Sequence, residues 1–133
     1  MHRASPTTVA LAVLLTASCG SDESTGPTSA DRTKFVGTWG GSYTCPGGGP
    51  TADTLVIALG GGPLDFSIII HAKFANPDTV SGDLTEPNKI NVPQHSMGGA
   101  PGTAQITSQG ALLTYSQTGF GITCGGTSYA KAP

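Results

Sequence analysis

Two histidines and a methionine are the residues of this chain with the greatest potential for metal or acid/base chemistry. His95 and Met97 are separated by one residue in the segment PQHSMGG, and an imidazole beside a thioether is a donor pair that copper can accept. Two donors do not make a metal site, and a flexible loop with incidental residues is the simpler interpretation. His71 could act as a base or a ligand, but we interpret it as a solvated surface side chain at a strand end. We therefore predict neither a metal ion nor a cofactor.

The acidic residues between Asp53 and Glu86 give no catalytic arrangement. They fall in or beside turn-forming segments, where aspartate commonly hydrogen-bonds its own backbone or caps a turn. No two of them can be placed face to face, so the acid/base pair of a glycosidase is not supported. The chain has no GxSxG segment, and no helix or lysine follows PGGGP or GGGP as a phosphate loop would require. We therefore predict that the protein is not an enzyme. The acidic residues considered are Asp53, Asp65, Asp78, Asp83 and Glu86.

The start of the chain has the three parts of a secretory leader. A basic start is followed by an apolar run from Val9 to Leu15 and by small residues, and the run is too short to span a bilayer. We predict a signal peptide over residues 1–18. Residues 19–34 are rich in Ser, Thr, Asp and Gly and cannot bury apolar surface, so we predict a flexible tether there. Residues 35–133 are then long enough for one small domain.

Cys19 follows the small residues of the leader directly, and this arrangement resembles the bacterial lipobox. In that motif the cysteine thiol receives lipid and becomes the mature N-terminus. Thr16 stands where the usual pattern has leucine, and ordinary secretion is the alternative. The resemblance implies a lipid anchor in the bacterial cell envelope, to which each buried methylene contributes about 0.8 kcal/mol. Gly20, in a place where aspartate would signal retention at the inner membrane, implies the outer membrane.

Lipidation of Cys19 would leave Cys45 and Cys124 as a pair in an oxidising compartment. We predict that they form a disulfide, worth roughly 4 to 5 kcal/mol in the chain-entropy model. The alternatives are two free thiols or a metal site. Neither cysteine lies in a CxxC segment or close to a histidine in sequence, so the disulfide is the better interpretation.

The charge of the chain excludes one class of partner. Charged residues make up 11% of the sequence and the formal net charge is -2, with no basic stripe that could neutralise phosphates. We therefore predict no nucleic-acid partner.

Short segments rich in Thr, Val, Ile, Leu and Tyr, separated by Gly and Pro clusters, predict an all-β domain. Eight such strands would form an antiparallel meander that closes as an up-and-down barrel or folds as a β-sandwich. The predicted strands are Phe35–Thr44, Asp53–Leu59, Leu64–His71, Thr79–Leu84, Lys89–Val92, Thr103–Thr107, Leu112–Gln117 and Thr123–Ala130.

Alternation along these strands separates an apolar face from a mixed face. The second strand places Leu55, Ile57 and Leu59 together, and the third places His71 opposite its apolar residues. The cysteines then discriminate between the architectures. The first strand ends at Cys45 and the last begins near Cys124, so a disulfide would fasten the seam of a barrel, whereas a sandwich gives no special reason for it. We therefore favour the barrel.

The segment Gly37-Thr38-Trp39 resembles the calycins, which include lipocalins, avidins and small bacterial lipocalin-like lipoproteins. The phrase FVGTWGGSYTC, with a later cysteine near the C-terminus, is most similar to the last group. The resemblance implies a barrel with Trp39 closing one end. Lipocalins place an arginine of the last strand on this tryptophan, and here the last strand offers Lys131 instead.

Two hypotheses for function follow from this resemblance. Trp39, Tyr43 and Phe66 could line an apolar cavity, in which case the protein is a membrane-anchored barrel that binds a small hydrophobic ligand. The same three side chains could instead form a packed core, in which case the protein has a structural or interaction role with a protein partner that the sequence does not identify.

Overall fold

The computed structural model describes residues 26–97 and 100–133. The predicted signal peptide and the lipidation at Cys19 lie outside these residues, as does much of the predicted tether. Within the described part, no helix has the length and apolar character needed to cross a membrane.

Eight antiparallel strands form a closed barrel in which each strand pairs with its neighbours in sequence and the first pairs with the last. This confirms the predicted all-β up-and-down barrel and excludes the β-sandwich. The strands are β1 (Gly37–Tyr43), β2 (Thr51–Leu59), β3 (Asp65–Ile70), β4 (Asp78–Glu86), β5 (Lys89–Met97), β6 (Ala100–Gln109), β7 (Leu112–Gly119) and β8 (Ile122–Lys131).

The prediction of a long loop after Val92 is wrong, because β5 and β6 extend through most of this segment. Proline usually ends a strand or marks a bulge, which is why the segment PQHSMGGAPG predicts a loop. In the structure Pro93 lies at a shift in register between Val92 and His95, and Pro101 pairs with Ser96 near the start of β6. A bulge of this kind admits a proline without ending the strand.

The barrel interior is a packed apolar core that follows the predicted alternation, with one exception. Leu55 and Ile57 are buried as expected, but Leu59 is 50% exposed because β2 ends there, at the rim of the barrel. The buried core consists of Phe35, Trp39, Leu55, Ile57, Phe66, Ile68, Ile70, Leu84, Ile90, Val92, Ala104, Ile106, Leu113, Tyr115 and Tyr129.

Trp39 closes one end of the barrel. Its indole Nε1 donates a hydrogen bond to the Phe35 carbonyl at 2.7 Å, and the ring of Phe35 packs edge-on against Phe66. Lys131 lies opposite Trp39 on β8, with Nζ 5.6 Å from the centre of the indole ring. A cation over the face of tryptophan is a stabilising arrangement. Lysine thus occupies the place that the calycin resemblance assigns to an arginine.

A short 3-10 helix, Ser29–Arg32, lies in the segment predicted as a tether. The Arg32 guanidinium donates to the carbonyls of Gly62 and Asp65, at 2.7 and 3.2 Å. Gly62 lies in the connection between β2 and β3, and Asp65 is the first residue of β3, so the helix contacts the barrel at the end that Trp39 closes.

The seam between β1 and β8 is short. Trp39 and Gly40 pair with the end of β8, and an isolated bridge joins Thr44 to Gly125 further along. The predicted disulfide between Cys45 and Cys124 is confirmed and lies directly after this bridge. A covalent bond therefore holds the two strands together where few backbone pairs do so.

Removal of this disulfide should lower the free energy of unfolding by about 4 kcal/mol, because the bond closes a long loop in the unfolded chain. The variant carries Cys45→Ser and Cys124→Ser together, and urea denaturation followed by circular dichroism measures the change. Cys19→Ser is the matched control and should leave the stability unchanged. A loss below about 1 kcal/mol in the double variant would show that the backbone closes the barrel unaided.

Candidate functional site

Polar side chains fill the interior at the end of the barrel opposite Trp39. The connections β1–β2, β3–β4, β5–β6 and β7–β8 meet at this end, as the up-and-down order requires. Burial of a polar side chain is unfavourable unless hydrogen bonds compensate, so such a group in a small barrel indicates a specific purpose. We call this group the polar cluster; its members are Tyr43, Asp53, His71, Asp78, His95, Tyr115, Gln117 and Tyr129.

Asp53 is fully shielded from solvent, as are Tyr115 and Tyr129 of the same cluster. Its carboxylate accepts hydrogen bonds from the backbone N–H of Thr54 at 2.7 Å and from the Tyr129 hydroxyl at 2.9 Å. The sequence places Asp53 beside a turn, at the start of the second strand; in the structure the residue lies on β2, and its side chain shares the inward face of Leu55 and Ile57. The alternation of residues along β2 would have predicted that Asp53 points into the barrel.

His71 is not the solvated surface residue that the sequence predicts, since its side chain is only 15% exposed. Its φ of 57° lies in the left-handed region, which ends β3 after Ile70 and breaks the alternation. Nδ1 then lies 3.0 Å from Asp53 Oδ1, a distance typical of an ion pair, although the angle is not that of a hydrogen bond. The rings of Tyr43 and Phe74 pack on the imidazole, with centroids 4.9 and 5.3 Å away.

His95 lies on β5 and is buried, so its prediction as an incidental loop residue is also wrong. Ile90 and Val92 point inward, and the register shift after Val92 turns His95 inward as well. Sequence alternation alone could not reveal this shift. Nδ1 of His95 lies 3.1 Å from Asp78 Oδ2, and Nε2 lies 2.7 Å from Gln117 Oε1.

Asp78 and Gln117 complete a row of hydrogen-bonded side chains that crosses the barrel from β4 to β7. Asp78 contacts His95, and Asp65 accepts a hydrogen bond from the turn residue Gly62, as is common for an aspartate beside a turn. On β7 the Tyr115 hydroxyl donates to Gln117 Oε1. Gln117 follows Tyr115 on the inward face, so the alternation of β7 would have predicted it.

The contacts of this row hold both nitrogens of the His95 ring. Nδ1 lies against a carboxylate oxygen of Asp78, and Nε2 lies against Gln117 Oε1, which also accepts from the Tyr115 hydroxyl. The orientation of the imidazole is therefore fixed from both sides.

Next to this row, β4 and β5 are not paired along their full length. The β4–β5 pairing joins residues 83–86 to residues 89–91, and the described residues 78–82 and 92–95 are not paired with each other. A cleft of about 1050 Å³ opens there, and it borders both Asp78 and His95. The side chain of Asp78 is 33% exposed. The cleft is lined by Asp78, Thr79, Val80, Ser81, Pro93, Gln94, His95, Pro101, Gly102 and Thr103.

The three residues predicted to bind a ligand are not brought together. Trp39 and Phe66 belong to the apolar core, whereas Tyr43 packs on His71 in the polar cluster. None of the three lines the cleft. Within the described residues, no group of three or more His, Cys, Asp and Glu side chains is arranged to hold a metal ion. The side chain of Met97, considered with His95 as a copper ligand, lies outside what the structure describes.

Loss of the Tyr129 hydroxyl should cost about 1 to 3 kcal/mol of stability, because the buried Asp53 carboxylate would lose a hydrogen-bond donor. Thermal and urea unfolding of Tyr129→Phe measure this cost. Tyr43→Phe, at a partly buried ring, is the control and should change the stability by less than about 0.5 kcal/mol. Equal stability of the two variants would contradict the role of the Tyr129 hydroxyl.

Alkaline pH should destabilise the fold through two buried tyrosines of the polar cluster. Burial raises the pKa of the Tyr115 and Tyr129 phenols above their usual range, and the nearby Asp53 carboxylate raises both further. Above pH of about 10 the unfolded chain releases these protons while the folded barrel retains them, so stability falls as pH rises. Ultraviolet titration should show these two phenols ionising only as the barrel unfolds. Reversible ionisation of all tyrosines near pH 10 in folded protein would refute this.

Comparisons of this chain with family models, with curated proteins and with solved structures return no match. The resemblance to the calycins is therefore supported by architecture alone: the closed barrel of eight antiparallel strands is consistent with a lipocalin-like fold.

Proposed function

We propose that this protein is a lipid-anchored protein of the bacterial cell envelope whose barrel binds a small amphiphilic ligand in the cleft between β4 and β5. The observation that carries the proposal is the parting of these two strands beside the polar cluster. The cleft, at about 1050 Å³, is at the upper end of the volumes of known ligand sites. No catalytic role is part of the proposal.

The lining of the cleft indicates the character of the ligand. Val80, Pro93 and Pro101 offer apolar surface, while Thr103 and the carboxylate of Asp78 offer hydrogen-bonding groups. Sites that combine an apolar wall with a few polar groups suit a molecule with an apolar body and one polar group. The ligand predicted from the sequence was hydrophobic and lay inside the barrel; the packed core favours a site at the side of the barrel instead.

The proposed location in the envelope is supported by two features. The sequence pattern that ends at Cys19 resembles a lipobox. The disulfide between Cys45 and Cys124 suits an oxidising compartment outside the cytoplasm. The outer membrane is the proposed site of the anchor.

An interaction role is the second candidate, and exposed apolar residues at the polar end of the barrel favour it. Phe120 is 81% exposed at the tip of the β7–β8 hairpin, and Ile122 beside it is also exposed. Exposed apolar groups of this kind often mark a contact with another protein.

Filling the cleft should abolish ligand binding. N-phenyl-1-naphthylamine is a suitable probe, because it is apolar, carries one N–H donor and fluoresces when it leaves water. Wild-type protein should bind it saturably, and Val80→Phe should weaken binding at least about tenfold by occupying the cleft, at a stability cost of about 1 to 3 kcal/mol.

Thr38→Phe is the control, since it adds the same ring at an exposed position of β1, which does not border the cleft. It should bind the probe as the wild type does. An absence of saturable binding to the folded wild type, or equal binding by the Val80 variant, would contradict the proposal.

A further inference from the structure

The lysines and arginines of the barrel are distributed unevenly between its two ends. All but one of those that the structure describes lie at the end that Trp39 closes, and each contacts a carbonyl, a carboxylate or a ring there. The exception is Lys73, which is exposed in the connection between β3 and β4 and does not line the cleft. The residues at the Trp39 end are Arg32, Lys34, Lys89 and Lys131.

The cleft presents a negatively charged group to a ligand. Among the described residues that line it there is one carboxylate, that of Asp78, and no lysine or arginine. Asp78 is paired with His95, but the two partners differ in exposure: the Asp78 side chain is 33% exposed and the His95 side chain is fully buried. The part of this pair that a ligand can contact is therefore the carboxylate.

The Asp78 carboxylate is held in place before a ligand binds. Its Oδ2 lies 3.1 Å from Nδ1 of His95, and Asp78 makes a further interaction besides this one. A carboxylate accepts several hydrogen bonds, so these contacts leave room for a donor from the cleft side. A group that is already ordered loses little conformational entropy on binding, which favours affinity.

A second carboxylate adds to the negative potential beside the cleft. Asp53 is fully buried in the same polar cluster. Burial raises the pKa of the Tyr115 phenol most, and the negative charges of Asp53 and Asp78 raise it further. Both carboxylates therefore act on the groups at this end of the interior.

We propose that the ligand of the cleft is a cationic amphiphile, whose ammonium group binds Asp78 and whose apolar body lies on Val80 and the two prolines of the lining. The inference rests on the proposed function, since it takes the cleft to be the ligand site, and it adds the sign of the ligand's charge. An ammonium group donates hydrogen bonds to a carboxylate and is attracted by its charge, whereas a hydroxyl only donates. A fatty acid or another anionic lipid is repelled.

Displacement of bound N-phenyl-1-naphthylamine tests this inference in the wild-type protein. Decylamine, decanol and sodium decanoate share one alkyl chain and differ in their head group, and each is added at neutral pH, at low salt and below its micelle concentration. Decylamine should displace the probe at a concentration at least about fivefold lower than decanol, because its contact with the partly exposed carboxylate is charge-assisted. Decanoate should be the weakest competitor. Displacement by decanol or decanoate at an equal or lower concentration would overturn the inference.

Asp78→Asn should remove the preference for decylamine over decanol, because it removes the charge and keeps the shape of the side chain. The ratio of the two affinities is measured within one variant, so it does not depend on how much of that variant is folded. Asp83→Asn is the matched control, since Asp83 is an exposed residue of β4 that does not line the cleft. It should keep the wild-type ratio. A wild-type ratio in Asp78→Asn would overturn the role of Asp78.

Thr79→Lys makes the opposite change and leaves Asp78 in place. Thr79 is exposed and lines the cleft, so a lysine there adds a positive charge beside the carboxylate. This variant should bind decylamine more weakly and decanoate more tightly than the wild type. Thr38→Lys, at an exposed position of β1 away from the cleft, is its control and should change neither affinity. Unchanged affinities in Thr79→Lys would contradict the inference.

The same measurements separate the inference from the proposed function. A wild type that binds no N-phenyl-1-naphthylamine would refute the cleft as a ligand site, and the cationic ligand with it. A wild type that binds the probe but shows no preference for decylamine would overturn the cationic ligand alone.

Discussion

Closure of the sheet on itself is the constraint on which the rest of this small protein depends. A domain of this size buries little apolar surface, and an open sheet would expose two unpaired edges. β8 returns to β1 over a short stretch of pairing that the Cys45–Cys124 disulfide extends. Gly126 permits this approach, because a Cβ there would clash with the Ser42 carbonyl oxygen. Closure also creates an interior, which the chain uses differently at its two ends.

The two ends of the interior differ in chemistry. At one end Trp39, its lysine partner on β8 and the rings of Phe35 and Phe66 form an apolar plug of the kind that the calycin resemblance implies. At the other end carboxylates, imidazoles and phenols are buried with their hydrogen bonds largely satisfied. Apolar side chains of similar volume would stabilise a barrel at least as well. The polar cluster is therefore better explained by function than by stability.

Much of the fold could be predicted from the sequence, but the site could not. The barrel is indicated by short strands with alternating apolar residues, because these signals are local. The disulfide is indicated by the positions of the two cysteines in the first and last strands, which depend only on the order of the strands. The burial of Asp53 and Gln117 could also have been predicted, since each continues the inward-facing positions of its strand. His71 and His95 were not, because a positive φ and a register shift each reverse the alternation. Deviations of this kind depend on tertiary structure and often occur at functional sites.

The central claim is that a ligand occupies the cleft beside Asp78 and not the apolar core. Nuclear Overhauser contacts between bound N-phenyl-1-naphthylamine and assigned methyl groups of the protein test it most directly. The account predicts contacts to Val80 and Thr103, which line the cleft on two different strands. Contacts to the methyl groups of Ile57 and Ile68, deep in the core, would contradict it, as would a probe that contacts no methyl group of the barrel.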